Sequence, residues 1–294
     1  MKKLLTVLIA ALMLFTLVGC SSTPETPEAT GGEETTGIPG VEDGVFTISM
    51  ECGYAPYNWA QEDDSNGAVP IKGSNQFANG YDVMIAKKIC EANGWELEVI
   101  QSDWDSLVPS VITGTIDAAI AGQSMTAERS EVVDFAGPYY YASIVIVTKA
   151  DSELAKATSI NDFAGKRGTA QIETIWYDQC LPQMEGVEIQ TATETAPAML
   201  MALETNTVDF VVTDMPTAMG ACVAYPDMVI VDLTGTDGDF QFTEQERTEN
   251  VNIGISVMKG RTALVDAINA VLSPMTSADF EAIMNEAIAI APVE

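Results

Sequence analysis

The pattern of hydrophobic and polar positions changes period repeatedly from residue 45 onward. Apolar and polar side chains alternate over 45–50, as in a strand with one buried face, and apolar residues recur near the 3.6 period over 81–93, as in an amphipathic helix that ends at Gly94. The pattern of apolar residues also predicts strands at 96–101, 118–121, 210–212, 228–233 and 252–258, and helices at 104–113, 196–205, 262–272 and 277–289. We predict Asp103 as the N-cap of the helix at 104–113.

One order of elements occurs twice in the chain. Residues 105–124 and 196–214 each contain a helix, an Asp (Asp117 and Asp209), a short apolar strand and a polar turn. Such alternation predicts an α/β fold with two lobes, each built on a mostly parallel sheet. Ligands bind beyond the carboxyl ends of such strands, so we expect the site at the turns 121–129 and 213–217.

The first 44 residues have a different character. Lys2 and Lys3 precede an apolar run that is too short for a comfortable membrane span, and the run ends in Leu17-Val18-Gly19-Cys20. This ending resembles a bacterial lipobox, which implies a signal peptide at 1–19 and a lipid such as palmitate on Cys20. The alternative is an ordinary secretory signal that is cut elsewhere. Residues 20–44 are rich in Thr, Pro, Gly and Glu, and we interpret them as a disordered acidic tether.

The charge of the chain excludes several functions. The 294 residues include 13 Lys plus Arg, 43 Asp plus Glu and no His, for a net charge of -30. So few cations exclude a nucleic-acid binder and attraction to an anionic membrane surface. Without His there is no Ser-His-Asp triad and no His-ligated zinc. The 47% hydrophobic content predicts a real core, so we interpret the acidity mainly as a solvated surface.

Four cysteines lie beyond Cys20: Cys52, Cys90, Cys180 and Cys222. Their even number permits two disulfides with three possible pairings, and isolated buried thiols are equally consistent with the sequence. Their spacing fits no metal motif. We therefore predict neither a metal site nor a cofactor.

Aromatic residues follow the first strand. Tyr54 and Trp104 both come just after a strand, where their faces could sandwich an aliphatic or cationic chain. The alternative is that these rings belong to the core.

The turn at 121–129 carries three features that suit ligand binding. Gly122 permits close backbone approach, Ser124 offers a hydroxyl and an amide, and Thr126 can cap the next helix. Arg129 is one of four Arg in the chain, and an Arg after a strand-end turn suggests a carboxylate clamp. The alternative is a surface ion pair with one of three nearby acids, namely Glu128, Glu131 and Asp134.

Asp214 ends the predicted strand in the second unit. Its carboxylate could accept hydrogen bonds from a ligand ammonium. Alternatively, Asp214 could be the N-cap of a following helix in which Pro216 takes an early position. The spacing leaves both interpretations open.

Four runs together carry a resemblance to a known family. These runs are Gly80-Tyr81-Asp82-Val83-Met84-Ile85-Ala86, Trp104-Asp105-Ser106-Leu107-Val108-Pro109, Ser124-Met125-Thr126-Ala127-Glu128-Arg129 and Val133-Asp134-Phe135-Ala136-Gly137-Pro138-Tyr139-Tyr140. Over about residues 45–290 the chain resembles the type 3 extracellular solute-binding proteins, the polar amino-acid receptors of ABC importers. The resemblance implies a two-lobed, type II periplasmic-binding-protein fold with two hinge strands. It places lobe 1 at 45–143 plus 252–294 and lobe 2 at 144–251.

The resemblance also implies a role for individual residues. Arg129 matches the clamp for the α-carboxylate, with help from the Ser124 amide. The matches for the α-ammonium acceptors are the Ser124 hydroxyl, the Gly122 carbonyl and Asp214. Tyr54 and Trp104 match the aromatic walls, and Glu51 falls where members that bind cationic amino acids place an acid.

The chain departs from the family pattern in the second lobe. The family usually has Gly-Thr-Thr after a short strand, whereas here Ala170-Gln171-Ile172 leads to Glu173-Thr174-Ile175. Thr174 and Ile175 occupy the two Thr positions, which leaves the second carboxylate anchor open. Glu173 places a charge near the cleft rim, where it could favour a cationic ligand or simply face water.

These features predict a receptor and not an enzyme. We expect a monomer, lipid-anchored to the outer face of the bacterial cytoplasmic membrane, that delivers one amino acid to the permease subunits of an ABC importer. Glu51 with its aromatic walls favours arginine, lysine or ornithine, and the alternative is a polar neutral ligand such as glutamine or cystine. A different class would be a dehydratase-type enzyme that uses Glu173, and a sensor ectodomain is a third alternative.

Overall fold

The structure, a computed structural model, describes residues 37–292. The predicted signal peptide, Cys20 and most of the predicted tether lie outside the described residues. Within the described range no helix has the length and apolar character needed to cross a membrane.

Between residues 37 and 292 the chain forms fourteen strands and eight α-helices. The strands are β1 Val45–Met50, β2 Gly53–Tyr54, β3 Asn58–Gln61, β4 Val69–Pro70, β5 Phe77–Asn79, β6 Glu96–Gln101, β7 Ala118–Ala119, β8 Val133–Tyr141, β9 Ile144–Lys149, β10 Arg167–Thr169, β11 Glu188–Ile189, β12 Phe210–Asp214, β13 Met228–Val231 and β14 Asn252–Met258. The helices are α1 Tyr81–Asn93, α2 Leu107–Thr113, α3 Ala127–Val132, α4 Ala196–Glu204, α5 Met215–Ala224, α6 Glu244–Val251, α7 Thr262–Leu272 and α8 Ser277–Ile290.

Two five-stranded sheets organise two lobes. The first has the order β6-β1-β7-β14-β8 and the second the order β11-β10-β12-β9-β13. In the first sheet only β14 runs against the other strands, and in the second only β9 does. The prediction of an α/β fold with two mostly parallel sheets is therefore confirmed.

Each sheet is buried as its sequence pattern predicts. In β1 the side chains of Phe46, Ile48 and Met50 are fully buried. In β12 the consecutive Phe210 and Val211 are both fully buried, as expected of a strand that is covered on both faces. Burial of such apolar surface is the main favourable contribution to folding.

The chain crosses between the sheets twice, and the two crossings lie side by side. It leaves the first sheet after β8 and returns at the start of β14, where Tyr141 pairs with Asn252. The Ala142 amide donates to the Val251 carbonyl at 2.8 Å. These paired segments are the two hinge strands of the predicted fold.

Several sequence predictions differ from the structure in detail. The bounds of α1, β6, α7 and β14 agree with the prediction, whereas the strands predicted at 118–121 and 228–233 are each two residues shorter. The helix at 104–113 begins as a 3₁₀ turn over Trp104–Ser106, and the Asp103 side chain makes no capping hydrogen bond. Asp103 thus occupies the predicted N-cap position but does not cap the turn through its side chain. The small sheet β2-β3-β5-β4 was not predicted, because its short strands have no sustained period.

Candidate functional site

Glu51 and Gln171 come together from different lobes. Glu51 directly follows β1, and Gln171 lies two residues after β10. Gln171 Nε2 lies 3.2 Å from Glu51 Oε1 and 3.4 Å from Oε2. The strand ends of the two lobes therefore face each other across one cleft, as expected for an α/β ligand site.

The Glu51 carboxylate is buried beside a neutral partner. Glu51 is 7% exposed, and its side chain is in no salt bridge within residues 37–292. Burial raises the pKa of Glu51 to about 7, although the hydrogen bond from Gln171 opposes that shift. A cation placed at this carboxylate would stabilise its ionised form.

Asp214 and Tyr54 form a second contact between the lobes. The Tyr54 hydroxyl donates to Asp214 Oδ2, and the Thr217 amide donates to Oδ1 at 2.8 Å. Asp214 is thus the N-cap of α5, as one of the two interpretations predicts, and it also faces the cleft. Burial raises its pKa above the ordinary value for Asp.

The aromatic residues belong to the core and to the cleft at once. Tyr54 stacks on Tyr57 with ring centroids 5.1 Å apart, and both side chains are buried. Trp104 is also buried, and the guanidinium carbon of Arg129 lies 5.3 Å from the centroid of its ring. One face of Tyr54 and one face of Trp104 therefore contact protein groups.

Arg129 reaches across the cleft with a half-buried side chain. Its Nη1 donates to the Ser124 carbonyl and its Nη2 to the Glu173 carbonyl of the second lobe, each at 3.0 Å. Within residues 37–292 Arg129 makes no salt bridge, and Asp134 pairs with Lys259 instead. The alternative of a surface ion pair is therefore not supported. Burial lowers the pKa of Arg129 from its usual value, and the nearby carboxylates oppose that shift.

The turn after β7 holds Gly122 and Ser124 in place. Gly122 has φ 63°, and a Cβ there would lie 2.8 Å from Tyr54 Cε1, so the turn requires glycine. The Ser124 hydroxyl donates to the Asn250 carbonyl at 3.0 Å. Thr126 caps α3 by accepting from the Arg129 amide, as predicted.

The loop after β10 uses its own polar groups to hold its shape. The Thr174 hydroxyl donates to the Gln171 carbonyl at 2.7 Å, and Thr174 and Ile175 are both buried. Glu173 has φ 57°, its side chain is exposed, and its carbonyl accepts from Arg129. The backbone of Glu173 therefore reaches the cleft, while its carboxylate faces water.

Sequence reasoning missed two parts of the site. It gave no role to Gln171, although a polar residue just after a strand end was a usable signal. It also missed a buried network of Asp82, Asn58 and Tyr139 behind the cleft. Asp82 stands in the first turn of α1, where an acid usually needs no explanation beyond the helix dipole.

The cysteines and acids form no further centre within residues 37–292. Cys52, Cys90, Cys180 and Cys222 are all free thiols, which decides between the two alternatives for them. The same part of the chain contains no group of three or more metal-ligating side chains.

Comparison with known proteins identifies the family. The model of the bacterial extracellular solute-binding proteins, family 3, matches residues 47–286. A probable histidine-binding protein of Campylobacter jejuni is 25% identical over 256 residues, which are 86% of this chain and 91% of the relative. The arginine-binding extracellular protein ArtP of Bacillus subtilis is 29% identical over 177 residues, 60% of this chain and 58% of the relative.

Solved structures agree with this assignment. An amino acid ABC transporter substrate-binding protein from Streptococcus pneumoniae, bound to L-arginine, has a TM-score of 0.68 and 25% identity, and the match covers 84% of this chain and 95% of that chain. The shared fold and the family match point to one class of protein. This chain is a member of the bacterial extracellular solute-binding proteins of family 3.

Proposed function

We propose that this protein captures one free amino acid between its two lobes and delivers it to the permease of an ABC importer. The observation that carries the proposal is Arg129, a half-buried cation without an ion-pair partner among the described residues, placed where the lobes meet. Relatives that are amino-acid-binding proteins support the same role. The lobes would close as a population shift, driven by the ligand's greater affinity for the closed state.

Arg129 would hold the α-carboxylate. A guanidinium has five N–H donors in a planar fork, and two of them donate to the Ser124 and Glu173 carbonyls. The remaining donors suit a bidentate carboxylate. Because one of those two carbonyls belongs to the second lobe, closure and carboxylate binding would depend on the same side chain.

The α-ammonium would lie between Asp214, the Gly122 carbonyl and the Ser124 hydroxyl. That hydroxyl gives its single proton to Asn250, so its lone pairs remain able to accept from a ligand. Asp214 is buried, and one of its carboxylate oxygens accepts a hydrogen bond from the Tyr54 hydroxyl. An ammonium there would compensate a carboxylate that is otherwise expensive to keep ionised.

We infer that the ligand is a cationic amino acid such as arginine, lysine or ornithine. Glu51 supports this inference, because it is a buried acid whose side-chain partner is the neutral amide of Gln171. Tyr54 and Trp104 would flank the aliphatic part of the ligand, and Thr174 and Ile175 would close the site from the second lobe. The alternative is a polar neutral amino acid, since Gln171 beside a protonated Glu51 also suits a ligand amide.

The boundaries of the two lobes and the location of the protein in the cell are part of the same proposal. We propose lobe 1 at 45–143 plus 252–294 and lobe 2 at 144–251, a division that the membership of the two sheets supports. The extracellular nature of the family supports a site outside the cytoplasmic membrane. Lipid attachment at Cys20 and the monomeric state remain predictions.

A dehydratase-type enzyme is the less favoured class. Glu173 was the candidate acid, but its carboxylate is exposed and only its backbone carbonyl faces Arg129. Such an enzyme needs an acid poised over the ligand. Turnover of a bound amino acid by the purified protein would restore this alternative.

Calorimetric titration with a panel of amino acids tests the proposal. We expect saturable binding of one ligand per chain, tightest for arginine, lysine or ornithine. Tight binding of glutamine or cystine with none of arginine would overturn the cationic assignment but keep the receptor. Failure of every amino acid to bind would overturn the receptor itself.

A further inference from the structure

Asp82 lies behind both ligand loops of the first lobe. It stands in the first turn of α1 and is fully buried. Its Oδ2 accepts from Asn58 Nδ2 at 2.8 Å, and its Oδ1 accepts from the Tyr139 hydroxyl at 2.6 Å. The two carboxylate oxygens therefore hold one side chain each.

Each of those side chains holds a different loop. Asn58 Oδ1 accepts from the Cys52 amide at 2.8 Å, and Cys52 is the neighbour of Glu51. The Tyr139 hydroxyl oxygen accepts from the Gly122 amide at 3.0 Å. Cys52 and Gly122 both have positive φ, 53° and 63°, so each marks the sharp turn by which the chain leaves a strand of the first sheet.

The direction of every hydrogen bond in this network is fixed. Tyr139 has one proton, which goes to Asp82, and its oxygen is left to accept from Gly122. Asn58 donates to Asp82 through its amide nitrogen and accepts from Cys52 through its oxygen. Each oxygen of Asp82 thus accepts from one donor, an arrangement that suits the ionised carboxylate.

We propose that Asp82 is a positioning residue that sets the two ligand loops through separate connections. Through Asn58 it sets the loop that carries Glu51 and Tyr54, which faces the ligand side chain. Through Tyr139 it sets the turn that carries Gly122 and Ser124, which faces the α-amino group. The inference rests on the proposed function, since it assigns the two connections to two parts of one amino acid.

The two connections predict two different losses of affinity. Tyr139→Phe removes the acceptor of the Gly122 amide, so every amino acid that binds should bind about 5- to 30-fold more weakly. The factor should be similar for all of these ligands. Asn58→Ala frees the loop of Glu51, so it should weaken the preferred ligand more than the others and change the ratio of their dissociation constants. If Asp82 and its partners only stabilised the fold, both variants would lower the free energy of unfolding but would not differ in how they affect the individual ligands.

Tyr81→Phe is the matched control. Tyr81 stacks on Tyr139, and its buried hydroxyl donates to the Tyr139 carbonyl and not to a ligand loop. We expect Tyr81→Phe to lower the free energy of unfolding while the dissociation constants stay within about twofold.

The experiment is a titration of wild type and variants with arginine, lysine and glutamine, together with urea unfolding of each protein. A uniform loss in Tyr139→Phe, a changed ratio in Asn58→Ala and unchanged affinity in Tyr81→Phe would support the inference. Unchanged affinity in Tyr139→Phe, or equal losses in the two Tyr variants, would overturn it.

If Asn58→Ala does not fold, Asp82→Asn replaces it and should show both losses, the general loss of affinity and the changed ratio of dissociation constants. An unchanged ratio in Asp82→Asn would also overturn the inference. A wild-type protein that binds no amino acid would overturn the proposed function first.

Discussion

Gln171 and Glu51 meet across the cleft although they are 120 residues apart, with Gln171 Nε2 at 3.2 and 3.4 Å from the two carboxylate oxygens. These distances are at the long end of the range for hydrogen bonds. The amide, being neutral, stabilises the carboxylate by hydrogen bonding but leaves its charge uncompensated. In the proposed function, Glu51 is the residue that would select the ligand side chain.

Replacing Glu51 by Gln should change the selectivity of the protein. Removing one partner of a buried charge pair costs about 2 kcal/mol or more, which is at least about 30-fold in affinity. We expect Glu51→Gln to lose this much affinity for arginine and little for glutamine, as measured by calorimetry. Glu153→Gln is the control, because Glu153 pairs with Lys166 outside the cleft. Equal losses for both ligands would contradict the assignment of Glu51.

The affinity for arginine should depend on pH. The pKa of Glu51 is about 7 in the ligand-free protein, and a bound cation lowers it because the cation favours the ionised carboxylate. Binding therefore releases a proton below pH 7, and the affinity should fall as the pH falls, by up to about tenfold per pH unit. Titrations from pH 5 to pH 8 check this dependence. The slope should be smaller in Glu51→Gln, where only Asp214, whose pKa is also raised by burial, remains to release a proton on binding; a slope of unchanged size would show that Glu51 does not contribute to it.

The stability of the ligand-free protein should depend on pH in the opposite sense. The pKa of Glu51 is raised from 4.5 to about 7 on folding, so the native state binds more protons than the unfolded state in this range. The contribution of Glu51 is therefore lost as the pH rises from 4.5 to about 7, and it is about 3 kcal/mol over that range.

Urea unfolding at several pH values measures this contribution. Asp82, whose pKa is also raised to about 7, acts in the same direction, so the relevant quantity is the difference between wild type and Glu51→Gln. That difference should vary with pH in the stated direction. A difference that is constant between pH 5 and pH 7 would show that Glu51 does not titrate there.

Gly80→Ala should destabilise the fold strongly. Gly80 has φ 120°, and a Cβ there would lie 2.4 Å from the Tyr57 carbonyl oxygen, a backbone atom that cannot easily move. We expect a loss of more than about 3 kcal/mol, as for a clash combined with a backbone conformation that only glycine readily adopts. Gly94→Ala is the control, since its Cβ would meet open space. Urea midpoints compare the two, and equal losses would contradict the steric argument.

Apolar periodicity predicted the bounds of those helices and strands that depend on local interactions. The bounds of α1 and β14 follow from apolar periodicity, because each element buries one regular face or run. Asp103 shows the limit, since a suitable residue at a cap position made no capping bond once the helix began as a 3₁₀ turn. Position after a strand, combined with the family resemblance, was enough to single out Arg129 and Asp214.

Long-range partners could not be predicted in this way. The contact of Glu51 with Gln171 depends on how the two lobes meet, and neither residue carries a local signal of the other. The same holds for Asp82, whose partners lie 24 and 57 residues away. Such contacts come from the packing of the sheets and not from sequence spacing.

In the proposed function, ligand capture depends most on Arg129 as the anchor of the α-carboxylate. The direct test is a calorimetric comparison of L-arginine with agmatine, which keeps the guanidinium of arginine but lacks its carboxylate, using wild type, Arg129→Ala and the control Arg167→Ala outside the cleft. We predict that wild type and Arg167→Ala bind L-arginine with similar affinity, and that Arg129→Ala binds it at least about 30-fold more weakly. Wild type should bind agmatine no more tightly than Arg129→Ala binds L-arginine. Equal binding of agmatine and arginine by wild type, or unchanged binding of arginine by Arg129→Ala, would contradict the account.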